Sequence, residues 1–127
     1  MKIASYKDLT VWKKGVALAQ EVYRASEVLP AQEQYALRSQ MCRAAVSIPS
    51  NIAEGQKRGT KKDFAYFLRI AYGSSAELET QIIIAASIYP VVDFSKANEL
   101  LLEVQKMLPA LIRTMSALPA SALSTNN

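Results

Sequence analysis

At 127 residues, half of them hydrophobic and a fifth charged, the chain is sized for one domain with a real core and has the composition of a folded protein rather than a disordered one. It has no histidine and one cysteine, Cys42, which removes the Glu-x-x-His ligands of di-iron bundles, the common zinc sites and any internal disulfide. Fifteen Lys and Arg against eleven Asp and Glu leave a formal charge of +4, a mild basic excess that permits a nucleic-acid partner without demanding one. No apolar run reaches the length of a membrane span, and the opening Met-Lys-Ile-Ala-Ser-Tyr-Lys-Asp lacks the apolar centre of a signal peptide, so a cytoplasmic protein is expected.

In chain order, Ser5 with Asp8 three residues on reads as a capping box that opens a first helix. Leu9, Trp12, Val16, Ala19 and Tyr23 form one apolar stripe, and Val11, Gly15, Leu18, Val22, Ala25 and Leu29 a second beside it. So broad a face belongs to a helix touching two neighbours. Pro30 ends it, because the residue before a proline is pushed out of helical geometry. The second helix is predicted from Ala31–Glu33 to Arg58, burying Leu37, Met41, Ala44, Ala45, Ile48 and Ile52. Pro49 falls inside it, yet the apolar spacing stays in phase from Ile48 to Ile52, so a bend is expected rather than a break. Cys42, within the same run, reads as a small buried hydrophobe.

Gly59 and Thr60 make a short turn, with Thr60 as cap and Asp63 as the capping carboxylate of a third helix. There Phe64, Leu68, Ala71, Ser75, Leu78, Ile82, Ala85 and Tyr89 keep a seven-residue repeat, the mark of long helices packed side by side. Gly73 in the middle implies close approach of a neighbouring backbone, from the second helix or from another subunit. Pro90 closes this helix and Ser95 is the expected cap of a fourth, with Ala97, Leu101, Val104, Leu108, Leu111, Met115 and Leu118 in register and a bend at Pro109. Short links between long helices favour antiparallel neighbours, so the expected fold is all-α, an up-down-up-down four-helix bundle over residues 1–118, followed by a flexible tail over 119–127.

Two surface features stand out. Gln40, Arg43, Ser47, Ser50, Asn51, Glu54 and Arg58 share a face of the second helix whose middle is small hydroxyls and an amide, a pattern suited to a close hydrogen-bonded contact; an ordinary solvated face is the plainer reading. Lys57, Arg58, Lys61 and Lys62 crowd the turn between helices two and three, a phosphate-facing patch that Arg43 and Arg69 would extend if they faced the same side. Solvated lysines at such a turn are common, and Tyr66 and Tyr72, which would stack on bases there, are more often core or interface residues. No catalytic constellation appears: Glu77 and Glu79 point to different helix faces, and an enzyme would need a carboxylate site built by Glu54 or Glu77 with tertiary partners. No enzyme, metal or cofactor is therefore expected.

The segments Tyr6–Trp12, Arg43–Gly55 and Phe67–Glu79 together resemble the bacterial four-helix-bundle family that includes the protein encoded in intervening sequences of 23S ribosomal RNA genes, with the likeness running over about residues 5–118. A related branch comprises the accessory protein of diversity-generating retroelements, a homopentameric barrel that engages a reverse transcriptase and nucleic acid. The resemblance implies a homo-oligomer, a pentamer, with Ser47, Ser50, Asn51 and Glu54 in the seam between subunits. RNA or DNA held by Lys57, Arg58, Lys61, Lys62, Arg43 and Arg69 is then the expected partner; the alternative is a protein-interaction scaffold or accessory subunit, for example of a reverse transcriptase, that does not touch nucleic acid.

Overall fold

In the computed structural model, which describes residues 4–117, the heptad-spaced stretches form four α-helices: α1 (Thr10–Ser26), α2 (Leu37–Lys57), α3 (Lys61–Ile88) and α4 (Ser95–Ser116). No strand occurs among the described residues. Leu118 and the tail assigned to 119–127 lie outside them.

The predicted stripes become the core. Met41, Ala44, Ala45, Ile48 and Ile52 from α2, the α3 repeat from Phe64 to Ala85, and Ala97, Leu101, Val104, Leu108 and Met115 from α4 are all buried. On α1 the stripe of Val11, Gly15, Leu18 and Val22 goes inside, while Leu9, Trp12 and Ala19 lie half-buried at its edge and Tyr23 is exposed. Each helix packs its backbone closely on two others, in the order α1, α2, α3, α4 and back to α1, with the diagonal pairs standing further apart. Two of the buried hydroxyls are satisfied within their own helices: Ser26 donates to the Tyr23 carbonyl at 3.1 Å and Ser75 to that of Tyr72 at 2.6 Å. Cys42 is buried, its sulfur 3.6 Å from the Ser26 hydroxyl.

Both internal prolines are accommodated without breaking their helices. Pro49 is buried, and its ring fits the notch that Gly15 leaves on α1, where an added Cβ would lie 3.4 Å from the Pro49 Cβ. Apolar burial offsets the lost backbone hydrogen bond.

The helix starts differ from those predicted. Ser5 accepts from the Lys7 N–H at 3.1 Å, but it caps a 3₁₀ turn over Tyr6–Asp8, and α1 begins only at Thr10 after the extended Leu9. The Tyr6 ring meets Trp12 edge-on at 5.2 Å, which anchors this turn to the helix that follows. Ala31–Glu33 is a second 3₁₀ turn, because Ala36 leaves helical geometry before α2 opens at Leu37. Glu33, which falls in the first turn of the predicted second helix, instead accepts from the Tyr89 hydroxyl, and that bond raises the Tyr89 pKa. Gly73 meets no neighbouring helix of its own chain: it faces outward, and nothing lies within 4 Å of an added Cβ.

Ser95 is the first residue of α4 rather than its cap. The carboxylate of Asp93 accepts the Ser95 N–H at 2.9 Å. Hydrogen bonds from Ser95 hold the Asp93 pKa below its ordinary value. A depressed carboxylate pKa contributes stability that is present above the unfolded-state value and disappears as pH falls through the folded one. Asp93→Asn should therefore lower the melting temperature at neutral pH, with the gap to the wild type closing as the pH drops into the acid carboxylate range.

Candidate nucleic-acid interface

The turn between α2 and α3 is short because three local devices close it. The Arg58 N–H reaches the Gly55 carbonyl at 3.3 Å, Gly59 takes φ +89°, and the Thr60 hydroxyl accepts the Asp63 N–H at 3.1 Å. A positive φ strains any residue with a Cβ, so glycine is needed at this reversal. Thr60 thus caps α3 as its sequence predicts. Behind the turn the two helices touch at Gly55, where an added Cβ would lie 2.7 Å from the Phe67 Cβ and 3.3 Å from the Phe64 carbonyl oxygen.

This scaffold places Lys57, Arg58, Lys61 and Lys62 on one corner, all exposed. Arg58 is partnered: it donates to Glu54 at 2.8 Å, and its guanidinium lies 5.0 Å from the Phe67 ring. The Glu54 hydrogen bond raises its pKa further, so it is cationic throughout the working range. Lys57, Lys61 and Lys62 enter no ion pair among the described residues. Beside them the Tyr66 ring, 59% exposed, stands edge-on to Phe67 at 5.2 Å. The corner therefore presents cations with free valences next to a solvent-facing aromatic, groups that suit phosphates and unstacked bases.

Arg69 belongs to the same end of the molecule. It donates to the Ser116 hydroxyl at 2.9 Å, which brings the last turn of α4 and its exposed Arg113 alongside. Arg113 was not singled out from the sequence, since nothing in a heptad pattern says which helix end meets which. Arg43 is not brought to the corner. It sits fifteen residues before Arg58, about 22 Å along α2, and lines a groove with Gln40, Ser47, Ser74, Glu77 and Gln81.

The polar face of α2 divides in two. Ser47 bonds the Ser74 hydroxyl of α3 at 2.8 Å, and the Asn51 amide donates to the Ser47 carbonyl and hydroxyl at 2.8 and 2.9 Å, so this pair serves the contact between α2 and α3 within the chain. Ser50 is exposed and its side chain makes no hydrogen bond among the described residues; Glu54 is half-exposed and paired with Arg58. What the heptad reading missed is the outer face of α3, where Tyr66, Ile70, Ile84 and Ile88 are exposed on one side. Its signal was present in the seven-residue spacing of Ile70, Glu77 and Ile84.

Glu54 and Glu77 do not come together with other ligating groups: among the described residues no three His, Cys, Asp or Glu side chains gather in a metal-holding cluster. Nor is any helix among them long and apolar enough to cross a membrane. Residues 7–111 match the family model described as 23S rRNA-intervening sequence protein. No curated protein matches the chain at a significant level.

Proposed function

Because the chain belongs to the 23S rRNA-intervening sequence protein family, we propose that it acts without catalysis, as a homopentamer of up-down-up-down bundles that binds RNA, or another nucleic acid, through the basic corner. The observation carrying this reading is the group of three exposed, unpaired lysines fixed with Arg58 on one tight turn beside an exposed Tyr66. One corner gives weak, salt-sensitive attachment to phosphates; several corners gathered by oligomerisation raise apparent affinity with no new kind of contact.

Pairings between helices support the up-down arrangement. Early residues of one helix meet late residues of its neighbour: Gly15 with Pro49, Arg69 with Ser116, and Thr10 and Val11 with Ala110, Leu111 and Thr114 around one hollow. The oligomer is supported by a surface that a lone chain leaves unmatched. By helical spacing the exposed Ser50 and Glu54 on α2 and Ile70 and Ile84 on α3 share the faces that border a groove in which Glu77 forms no ion pair and the Gln81 Oε1 is buried without a hydrogen-bond partner among the described residues. A second copy would cover the apolar atoms and supply the missing partners.

Light scattering tests the assembly. Five copies of a 14.0 kDa chain give a solution mass of about 70 kDa. Ser50→Arg, which adds bulk and charge at an exposed position, should lower that mass while leaving the helical signal and melting temperature nearly unchanged. A wild-type mass of one chain removes the ring. The rival reading, an accessory subunit for a protein such as a reverse transcriptase, draws on Ile83, Ile88 and Val91, which are 64%, 57% and 82% exposed. Pull-down from nuclease-treated lysate separates the two: loss of the partner favours nucleic acid, and a retained protein favours the scaffold.

A further inference from the structure

A second cationic site lies far from the basic corner, between the last turns of α1 and the first turns of α2. There an open cavity of about 430 Å³ is lined by Tyr23, Tyr35, Arg38, Ser39, Cys42 and Arg43, among others. Two guanidinium groups line it and no carboxylate does. Glu27, which borders the adjoining hollow, approaches Arg38 only at 3.9 Å, a loose contact in which the carboxylate is largely in solvent and the guanidinium only partly. Arg43 forms no ion pair, and the Arg38 Nε is buried without a hydrogen-bond partner among the described residues. A buried guanidinium N–H lacking an acceptor is costly unless a ligand supplies one.

Two further features point to the ligand. The cavity runs along the start of α2, a helix of 21 residues whose N-terminus has no side-chain cap, so the first-turn amides add partial positive charge close to Arg38. Aromatic rings line the same cavity: Tyr35 is 89% exposed and Tyr23 46% exposed. An exposed tyrosine ring is a stacking surface for a flat heteroaromatic group, and arginine is suited to bidentate contact with phosphate.

We propose that this cavity binds a nucleotide phosphate, with the phosphate on Arg38, Arg43 and the α2 amides and the base against Tyr35. The ligand chemistry is a phosphomonoester joined to a nucleobase, supplied by a free mononucleotide or by the phosphorylated end of a strand. The site goes beyond the corner function, since Arg38 and Lys57 stand about 28 Å apart along α2.

The test is calorimetric titration of the full chain with AMP, adenosine and inorganic phosphate, and with a short RNA carrying a 5′-phosphate or a 5′-hydroxyl. AMP should bind at least tenfold more tightly than adenosine or phosphate. A matching preference of the RNA for its 5′-phosphate identifies a strand end as the source, and its absence beside AMP binding identifies the free nucleotide. Arg38→Gln should weaken AMP by tenfold or more. Because that change also removes the Glu27 contact, Tyr35→Ala serves as the second variant; its ring is almost wholly in solvent, so the fold persists, and AMP affinity should fall severalfold while phosphate affinity stays. Neutralising Lys57, Arg58, Lys61 and Lys62 should leave AMP binding intact, which separates a failure here from a failure at the corner. Equal affinity for AMP and adenosine, or AMP binding indifferent to both Arg38→Gln and Tyr35→Ala, would overturn the proposal.

Discussion

Gly55→Ala should destabilise the chain by about 2 kcal/mol, a fall of roughly 8 °C in melting temperature for a domain of this size. The added methyl would meet the Phe67 Cβ at 2.7 Å, the Phe64 ring at 3.1 Å and the Phe64 carbonyl at 3.3 Å. None of these is the free end of a flexible side chain, so α2 and α3 must separate. Overpacking of this kind costs about 1–3 kcal/mol, occasionally more, and the better helix propensity of alanine recovers up to about 1 kcal/mol of it. Gly15→Ala is the control. Its methyl would lie 3.4–3.5 Å from Pro49 and Ile48, ordinary contact, and the melting temperature should hold or rise slightly. Thermal denaturation followed by circular dichroism reads both; equal behaviour of the two variants would mean that the helices near the turn are not in close contact.

The second large effect is on binding. Replacing Lys57, Arg58, Lys61 and Lys62 by alanine removes four exposed positive charges from a corner whose described neighbours include only Glu54 and Asp63 as close carboxylates. Four phosphate contacts on a single strand make affinity fall by about 50-fold between 50 and 200 mM salt, and the variant should lose that dependence along with most of its low-salt affinity. The melting temperature should barely move, since none of the four side chains is buried and the one ion pair lost, Arg58 with Glu54, is half in solvent. Arg113→Ala should weaken binding in the same direction but less, as a single cation at the margin of the patch.

The core was legible in the residues because burial obeys helical periodicity. The α3 repeat from Phe64 to Ala85 is buried at every predicted position. The turn was equally clear, since Gly59 and Thr60 are chosen by backbone geometry and capping, both local. Helix starts were less legible for the complementary reason. Ser5, Glu33 and Ser95 each have the chemistry of a cap, but a 3₁₀ turn, the Tyr89 hydroxyl and the Asp93 carboxylate compete for the same groups, and those partners are settled by tertiary position. The polar face of α2 read as one surface because spacing does not reveal which flank a neighbouring helix covers; Ser74 draws in Ser47, and with it Asn51, and leaves Ser50 outside. The cavity beside Arg38 was invisible for a related reason, being assembled from the end of one helix and the beginning of the next.

The most direct test of the basic corner is the anisotropy of a fluorescent single-stranded RNA titrated with the full chain at several salt concentrations. If the four cations hold phosphates, the logarithm of the association constant falls linearly with the logarithm of salt, with a slope of about −3 for each chain engaged. An affinity that stays the same from 50 to 200 mM salt, or that survives the loss of Lys57, Arg58, Lys61 and Lys62, would contradict it.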